Sequence, residues 1–170
     1  MDNEMKDYLE RREAFIAKHP DLPDPEPVKC LNLIMRKEYA KEIVEGKKVV
    51  EIRAFSQHYS DRLYDKNVLE YENAHWDDEE MREGILEFTD SVRPVEKIHF
   101  HPYNNNWYLD VTCVENGTVV VNEEQVAYLR DTYGCHEFDE MLEDLERRHV
   151  TDRPIFFFFV IGEVLGTNLE

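Results

Sequence analysis

Long apolar runs and paired cysteines are both missing from this sequence of 170 residues. Because no apolar run is long enough to cross a bilayer and the segment MDNEMKDYLE is acidic, we expect neither a membrane span nor a signal peptide. The three cysteines, Cys30, Cys113 and Cys135, show no C-x-x-C spacing. An odd number of unpaired cysteines is typical of a reducing compartment. The sequence therefore predicts a cytoplasmic protein whose thiols are all free.

Basic residues are scarce as well, with 20 lysines and arginines against 38 acidic residues and a net charge of −18. Such a charge argues against a general nucleic-acid binder, so we do not expect duplex DNA as a partner, because phosphate binding depends on basic surface. Residues 29–53 are the exception, with seven basic and four acidic residues. This segment carries +3 and the remainder of the chain −21. A locally basic site in an acidic protein favours a small anionic ligand or a short RNA end.

Fingerprints of common cofactor sites are also absent, since the chain has no P-loop, no dinucleotide-binding glycine pattern and no G-x-S-x-G. We therefore expect no cofactor. His99 and His101 share one face of a predicted strand, and an H-x-H pair on a strand can hold a metal ion. No acidic or cysteine residue stands at a recognisable spacing from them, so we predict polar residues on the solvent side of a hairpin and no metal site. Cys30 and Cys113 lie in apolar strands, where a buried thiol is inert.

Residues 36–55 carry the most informative pattern in the chain, a short helix followed by a glycine stop and a strand. Tyr39, Ile43 and Val44 fall at i, i+4 and i+5, which predicts a narrow apolar stripe on the helix. Gly46 lies where the end of a helix requires a positive φ, and glycine adopts that conformation at least cost.

The strand after Gly46 places polar side chains beside a core. Val50 and Ile52 alternate with Glu51 and Arg53, which is the period of a half-buried strand. Because Glu51 and Arg53 are two residues apart, both side chains leave the strand on the same face. One interpretation is structural: a salt-bridge cluster closes a barrel, with Arg53 paired to Glu51, since buried charges require partners.

Gly46, Lys48, Glu51 and Arg53 also reproduce the spacing G-x-K-x-x-E-x-R. With the helix before it and a late apolar strand ending in IGEV at residues 161–164, this stretch resembles the activating-signal-cointegrator homology (ASCH) domain family over about residues 28–167. The resemblance implies a fold similar to the PUA superfamily of RNA-binding barrels. We accordingly predict an α+β protein, a small PUA-like β-barrel with peripheral helices.

The domain organisation follows from local patterns. Residues 1–27 are predicted to form an N-terminal helix at 3–18 and a proline-rich connector, and residues 28–170 the ASCH/PUA-like domain. The first strand is expected to be buried on much of both sides. Strands of one curved or closed sheet are expected near residues 28–35, 48–55, 95–102, 107–115 and 156–165.

Four local features of the backbone are predicted: a loop, a turn, a helix start and a bulge or close approach. Residues 56–66 indicate a functional loop or an ordinary surface connection, because they show no clear period. Asn116-Gly117 predicts a type I′ turn. Asn122 with Gln125 predicts a capped helix start. Gly162 predicts a bulge or a close backbone approach.

The predicted site is centred on the motif. Lys48 and Arg53 can donate to phosphate or to base carbonyl oxygens, and Glu51 can accept from an amino or hydroxyl group. If Lys48, Glu51 and Arg53 form a ligand cleft, we expect Lys48 to be exposed, with few contacts. The candidate ligand-binding residues are Lys47, Lys48, Glu51, Arg53, Tyr59 and Arg62. The candidates for a stacking face are Tyr59, Tyr64, Trp107 and Tyr103.

Three functions remain open from the sequence. The first is a module that binds RNA, a nucleoside or a nucleotide. The second is an enzyme, because the resemblance implies ribonucleases or amidohydrolases that remove acyl groups from modified cytidine with a lysine and a threonine. Lys48 matches that lysine but Glu51 stands at the position of the threonine, so Lys48 and Glu51 are the catalytic candidates and the usual nucleophile is missing. The third is a protein-interaction domain that uses the acidic surface.

Overall fold

A computed structural model describes residues 3–75 and 91–170 of the chain. The helices are α1 (Asn3–Lys18), α2 (Lys37–Val44), α3 (Gln57–Leu63), α4 (Lys66–Ala74), α5 (Glu123–Tyr133) and α6 (Asp139–Arg147). The strands are β1 (Leu31–Ile34), β2 (Val50–Ala54), β3 (Lys97–His101), β4 (Leu109–Val120) and β5 (Ile155–Thr167). The chain divides into two compact units, residues 1–26 with 61–93 and residues 27–60 with 94–170. Within the described ranges, no helix is both long and apolar enough to cross a membrane.

The unit of residues 27–60 and 94–170 is built on a curled, half-barrel sheet in the order β1-β3-β4-β5-β2. β1 runs parallel to β3, and the other neighbouring pairs are antiparallel. The predictions of an α+β fold and of five strands in one curved sheet are confirmed. Because β1 and β2 stand at the two ends of this order, they are its edge strands.

Strands β2 and β5 separate two sets of side chains. On one face, Val50, Phe158 and Val160 join a core that includes α5 and α6. The buried members of this core are Val50, Val119, Val121, Val126, Leu129, Cys135, Phe138, Leu142, Leu145, Phe158 and Val160. On the other face, Phe157 and Phe159 are fully buried. Alternation along β2 directs Glu51 and Arg53 to this second face, opposite Phe159 and Phe157 in the register.

Strand β4 shows that the turn prediction for Asn116-Gly117 is wrong. The chain continues as one strand from Leu109 to Val120. Asn116 Oδ1 accepts a hydrogen bond of 2.8 Å from the backbone N of Val95. A Cβ added to Gly117 would stand 3.4 Å from the ring of Phe158. These tertiary contacts override the local turn preference, and the strand instead bends at register shifts between residues 110 and 115.

Three other predicted positions are confirmed. Gly46 has φ +76 directly after the end of α2. The Asn122 side chain accepts from the backbone N of Gln125 at 2.8 Å and caps α5. At Gly162, an added Cβ would stand 2.4 Å from Thr112 Oγ1, so β4 lies close against the backbone of β5.

The structure corrects the predictions for the segments around α2 and α3. Residues 57–63 form helix α3 rather than a loop; Leu63 is its buried residue, so the sequence offers little apolar period. In α2 the buried residues are Ala40 and Ile43. Tyr39 and Val44 are each 46% exposed. The predicted apolar stripe of α2 is therefore right for Ile43 and wrong for Tyr39 and Val44.

Strand β1 is buried on one side instead of two. Leu31 and Leu33 are buried, whereas Asn32 and Ile34 are exposed, because the strand alternates at the edge of the sheet. Cys30 precedes the strand and is exposed, so the prediction of an inert buried thiol is wrong for this residue.

The unit of residues 1–26 and 61–93 has its own small core. Phe15 of α1 is buried against Leu22 and Tyr71. Asp65 caps α4, because its side chain accepts from the backbone N of Asn67 and of Val68.

Candidate functional site

Strand β2 forms one side of the candidate site. Gly46 ends α2, and the chain then enters β2 through Lys48. Glu51 and Arg53 project to the face opposite the α5–α6 core, where the buried rings of Phe159 and Phe157 are their neighbours on β5. Glu51 is only 7% exposed, which is unusual for an acidic side chain. The predicted placement of Glu51 and Arg53 on one strand face is confirmed.

Lys48 is held between two carboxylates. Its Nζ lies 2.9 Å from Glu137 Oε1 and 3.9 Å from Glu51 Oε1. It also lies 6.0 Å from the centre of the Tyr39 ring. Burial acts to lower the pKa of Lys48, but the carboxylates of Glu51 and Glu137 outweigh it and hold that pKa above its ordinary value. The side chain is 12% exposed, so the expectation of an exposed lysine with few contacts is wrong.

Arg53 connects the two edge strands. Its Nη2 donates to the backbone O of Ile34, the last residue of β1, at 2.8 Å. Its Nη1 donates to the hydroxyl of Tyr59 at 3.3 Å. The same Nη2 lies 3.7 Å from Glu51 Oε2. One side chain from β2 therefore reaches β1 across the open side of the curled sheet.

Glu51 keeps one oxygen without a hydrogen bond. Its Oε1 accepts from the backbone N of Ile52 at 3.0 Å. Its Oε2 is buried and accepts no hydrogen bond from the described part of the chain, although Arg53 lies at ion-pair distance. Burial raises the pKa of Glu51 above its ordinary value, and Lys48 and Arg53 offset only part of that rise. Oε2 is therefore a buried acceptor that no described residue satisfies with a hydrogen bond.

The structure brings together four of the six predicted ligand-binding residues, namely Lys48, Glu51, Arg53 and Tyr59. Lys47 is separate from them: its Nζ lies 2.8 Å from Glu45 Oε2, and its side chain is 73% exposed. Arg62 lies near the end of α3 in the other compact unit, where its backbone O accepts from Arg93.

Sequence reasoning missed two members of the site. Glu137 lies 89 residues after Lys48, between α5 and α6, and no spacing rule connects the two. Tyr39 belongs to the predicted apolar stripe of α2, yet it is exposed beside Lys48. Among the proposed stacking residues, Tyr59 is at the site, Trp107 is buried and Tyr103 is 89% exposed.

The two histidines of strand β3 form a separate group. The rings of His99 and His101 stack with their centres 5.5 Å apart, and His99 Nδ1 bonds to Asp110, its partner on β4. An acidic partner is therefore present that the sequence spacing did not reveal. In residues 3–75 and 91–170, no group of three or more histidine, cysteine, aspartate or glutamate side chains is placed to hold a metal ion.

A known protein family matches most of the chain, including the residues of the site. No curated protein and no solved structure matches the chain. A family model described as the ASCH domain matches residues 33–152. That range contains Lys48, Glu51 and Arg53 together with Glu137, so the match covers the charged residues of the site. With this match and a curled half-barrel sheet beneath the motif, the chain belongs to the ASCH domain family of PUA-like proteins.

Proposed function

We propose that the chain binds a nucleoside or nucleotide unit of RNA at the site formed by Lys48, Glu51, Arg53 and Tyr59. The observation that carries the proposal is the buried Oε2 of Glu51, which accepts no hydrogen bond from the described residues. Leaving a buried acceptor unsatisfied costs about 1–3 kcal/mol, and a ligand N–H or O–H would recover that cost. ASCH domains are PUA-like modules associated with RNA binding, and this agrees with the proposal.

The donors next to Glu51 complete a recognition pattern. The ammonium group of Lys48 donates one hydrogen bond to Glu137. Two nitrogens of Arg53 donate to the backbone O of Ile34 and to the hydroxyl of Tyr59. Both cations have further N–H donors, because an ammonium carries three and a guanidinium five. A ligand with a donor beside an acceptor can therefore bond to Glu51 and to one of the cations at once. Nucleobase edges and ribose hydroxyls have this arrangement.

Equilibrium binding of short single-stranded RNAs and of a nucleoside panel tests the proposal. Glu51→Gln keeps the size of the side chain but replaces the acceptor carboxylate by an amide, and we expect it to weaken binding at least about tenfold, as for loss of a charged hydrogen bond. Lys47→Ala is the matched control, because Lys47 lies three residues before the start of β2 and its side chain forms an exposed ion pair with Glu45. Equal affinities for the parent protein and Glu51→Gln would refute the proposal, and so would a parent protein that binds none of the panel.

A hydrolase is the second candidate, and the raised pKa of Glu51 favours it. Burial raises the pKa of Glu51 above its ordinary value, and a carboxyl group with a raised pKa is a candidate for general acid–base catalysis. Incubation of the parent protein and Glu51→Gln with RNA and with N-acylated nucleosides, followed by product analysis, tests it. Turnover by the parent protein and none by Glu51→Gln would establish catalysis. Binding without turnover would exclude the hydrolase and support a binding module.

A further inference from the structure

The charges of the site balance one another before any ligand binds. Lys48 and Arg53 supply two positive charges, and Glu51 and Glu137 supply two negative ones. Each cation has a carboxylate within 4 Å, and Lys48 bonds to Glu137 at 2.9 Å. The carboxylate of Glu137 therefore occupies the position on Lys48 that a ligand phosphate would take.

A phosphate group would meet three obstacles at this site. It would have to displace Glu137 from Lys48, and the displaced carboxylate would remain nearby. It would also approach Glu51, whose Oε2 is buried and close to Arg53. Finally, the surrounding protein carries a net charge of −18, which repels anions at long range. The two basic side chains are therefore poorly placed to bind phosphate, although the sequence segment around them is basic.

An uncharged ligand meets none of these obstacles. The buried Glu51 Oε2 accepts no hydrogen bond from the described residues, and the neighbouring N–H groups of Arg53 and Lys48 are donors. A nucleobase edge that presents an N–H next to a ring nitrogen or a carbonyl oxygen matches this order of groups. Tyr39 is 46% exposed beside Lys48 and offers a ring face to a base.

We infer that the site takes the uncharged edge of a nucleobase and that Glu137 excludes phosphate from Lys48. This inference rests on the proposed function and narrows it to one part of the nucleotide. Glu137 is thus a specificity-determining residue that acts through Lys48. Its side chain is 46% exposed and its replacement leaves the core untouched.

Competition between nucleosides, their 5′-monophosphates and inorganic phosphate tests this inference. Isothermal titration of the parent protein should give the nucleoside at least the affinity of its monophosphate, and no binding of inorganic phosphate. Glu137→Gln should raise the affinity for the monophosphate about tenfold relative to that for the nucleoside, because the variant removes the charge that competes with phosphate. Glu140→Gln is the control of equal charge, since Glu140 is exposed on the first turn of α6.

Two results would overturn the inference and leave the proposed function standing. One is a parent protein that binds monophosphates at least about tenfold more tightly than nucleosides. The other is a Glu137→Gln variant whose ratio of the two affinities equals that of Glu140→Gln. Failure of the parent protein to bind any compound would instead remove the proposed function itself. Thermal melting of each variant verifies that it is folded.

Discussion

Replacing Arg53 by alanine tests whether one side chain holds the two edge strands of the barrel together. The substitution removes the 2.8 Å hydrogen bond from Nη2 to the backbone O of Ile34 on β1. It also removes the cation that lies 3.7 Å from Glu51 Oε2. Both losses destabilise the folded state, because a carbonyl loses a charged donor and a buried carboxylate loses a counter-ion.

The size of the effect follows from these two contacts. A hydrogen bond to a charged group contributes about 1.5–3 kcal/mol. Breaking a fully buried ion pair costs about 3–5 kcal/mol. The Arg53 side chain is 20% exposed and Lys48 still neutralises Glu51 in part, so the ion-pair contribution falls well below that range. We therefore expect Arg53→Ala to lower the free energy of unfolding by about 2–4 kcal/mol.

Urea denaturation with linear extrapolation measures this difference. In a Glu51→Gln background no buried charge is left unpaired, so the cost of Arg53→Ala should fall by about 0.5–1 kcal/mol, to the value of about 1.5–3 kcal/mol for the hydrogen bond alone. Lys47→Ala serves as the control and should leave the urea midpoint unchanged, because its ion pair with Glu45 is exposed. A loss below about 0.5 kcal/mol for Arg53→Ala would show that Arg53 does not join the edge strands.

Three further predictions concern pH, packing and thiols. Because burial raises the pKa of Glu51, its protonated form is favoured by folding; this stability is complete below the ordinary pKa of 4.5 and is lost as the pH rises through the raised value. Glu51→Gln should therefore be more stable relative to the parent protein at about pH 7 than at about pH 4, and equal differences in urea midpoint would contradict this. Gly162→Ala should cost about 1–3 kcal/mol in the same assay, and Thr112→Ala should relieve part of that cost, since the new Cβ would stand 2.4 Å from Thr112 Oγ1. Thiol titration should find one rapidly reacting group in the native protein, the exposed Cys30, and three after denaturation without reductant; fewer would indicate a disulfide.

The parts of the structure that could be predicted from the sequence depend on neighbouring residues. Gly46 adopts the positive φ that its position after α2 requires, and Asn122 caps α5 through Gln125. Glu51 and Arg53 share one face because a strand has a period of two, whatever surrounds it. The motif thus determined the geometry of its own strand.

The parts that could not be predicted depend on distant residues. The turn preference of Asn116-Gly117 is overridden by Val95 and Phe158, which lie far away in sequence. Helix α3 has a single buried residue, so it carries almost no periodic signal. Glu137 reaches Lys48 across 89 residues, and its negative charge offsets the positive charge of Lys48, which the basic segment around the motif does not reveal.

The position of β5 in the sheet has a consequence for the order in which the protein folds. β2 carries the motif and pairs with β5 as its neighbour, yet about a hundred residues separate the two strands along the chain. β5 is also the last of the five strands to be synthesised, and it pairs with β4 on its other side. Contacts between such distant segments form slowly, because closing a long loop costs entropy before the contacts repay it. The motif residues of β2 therefore have no strand partner until β5 has been made, and the charged cluster around Lys48 forms together with that strand.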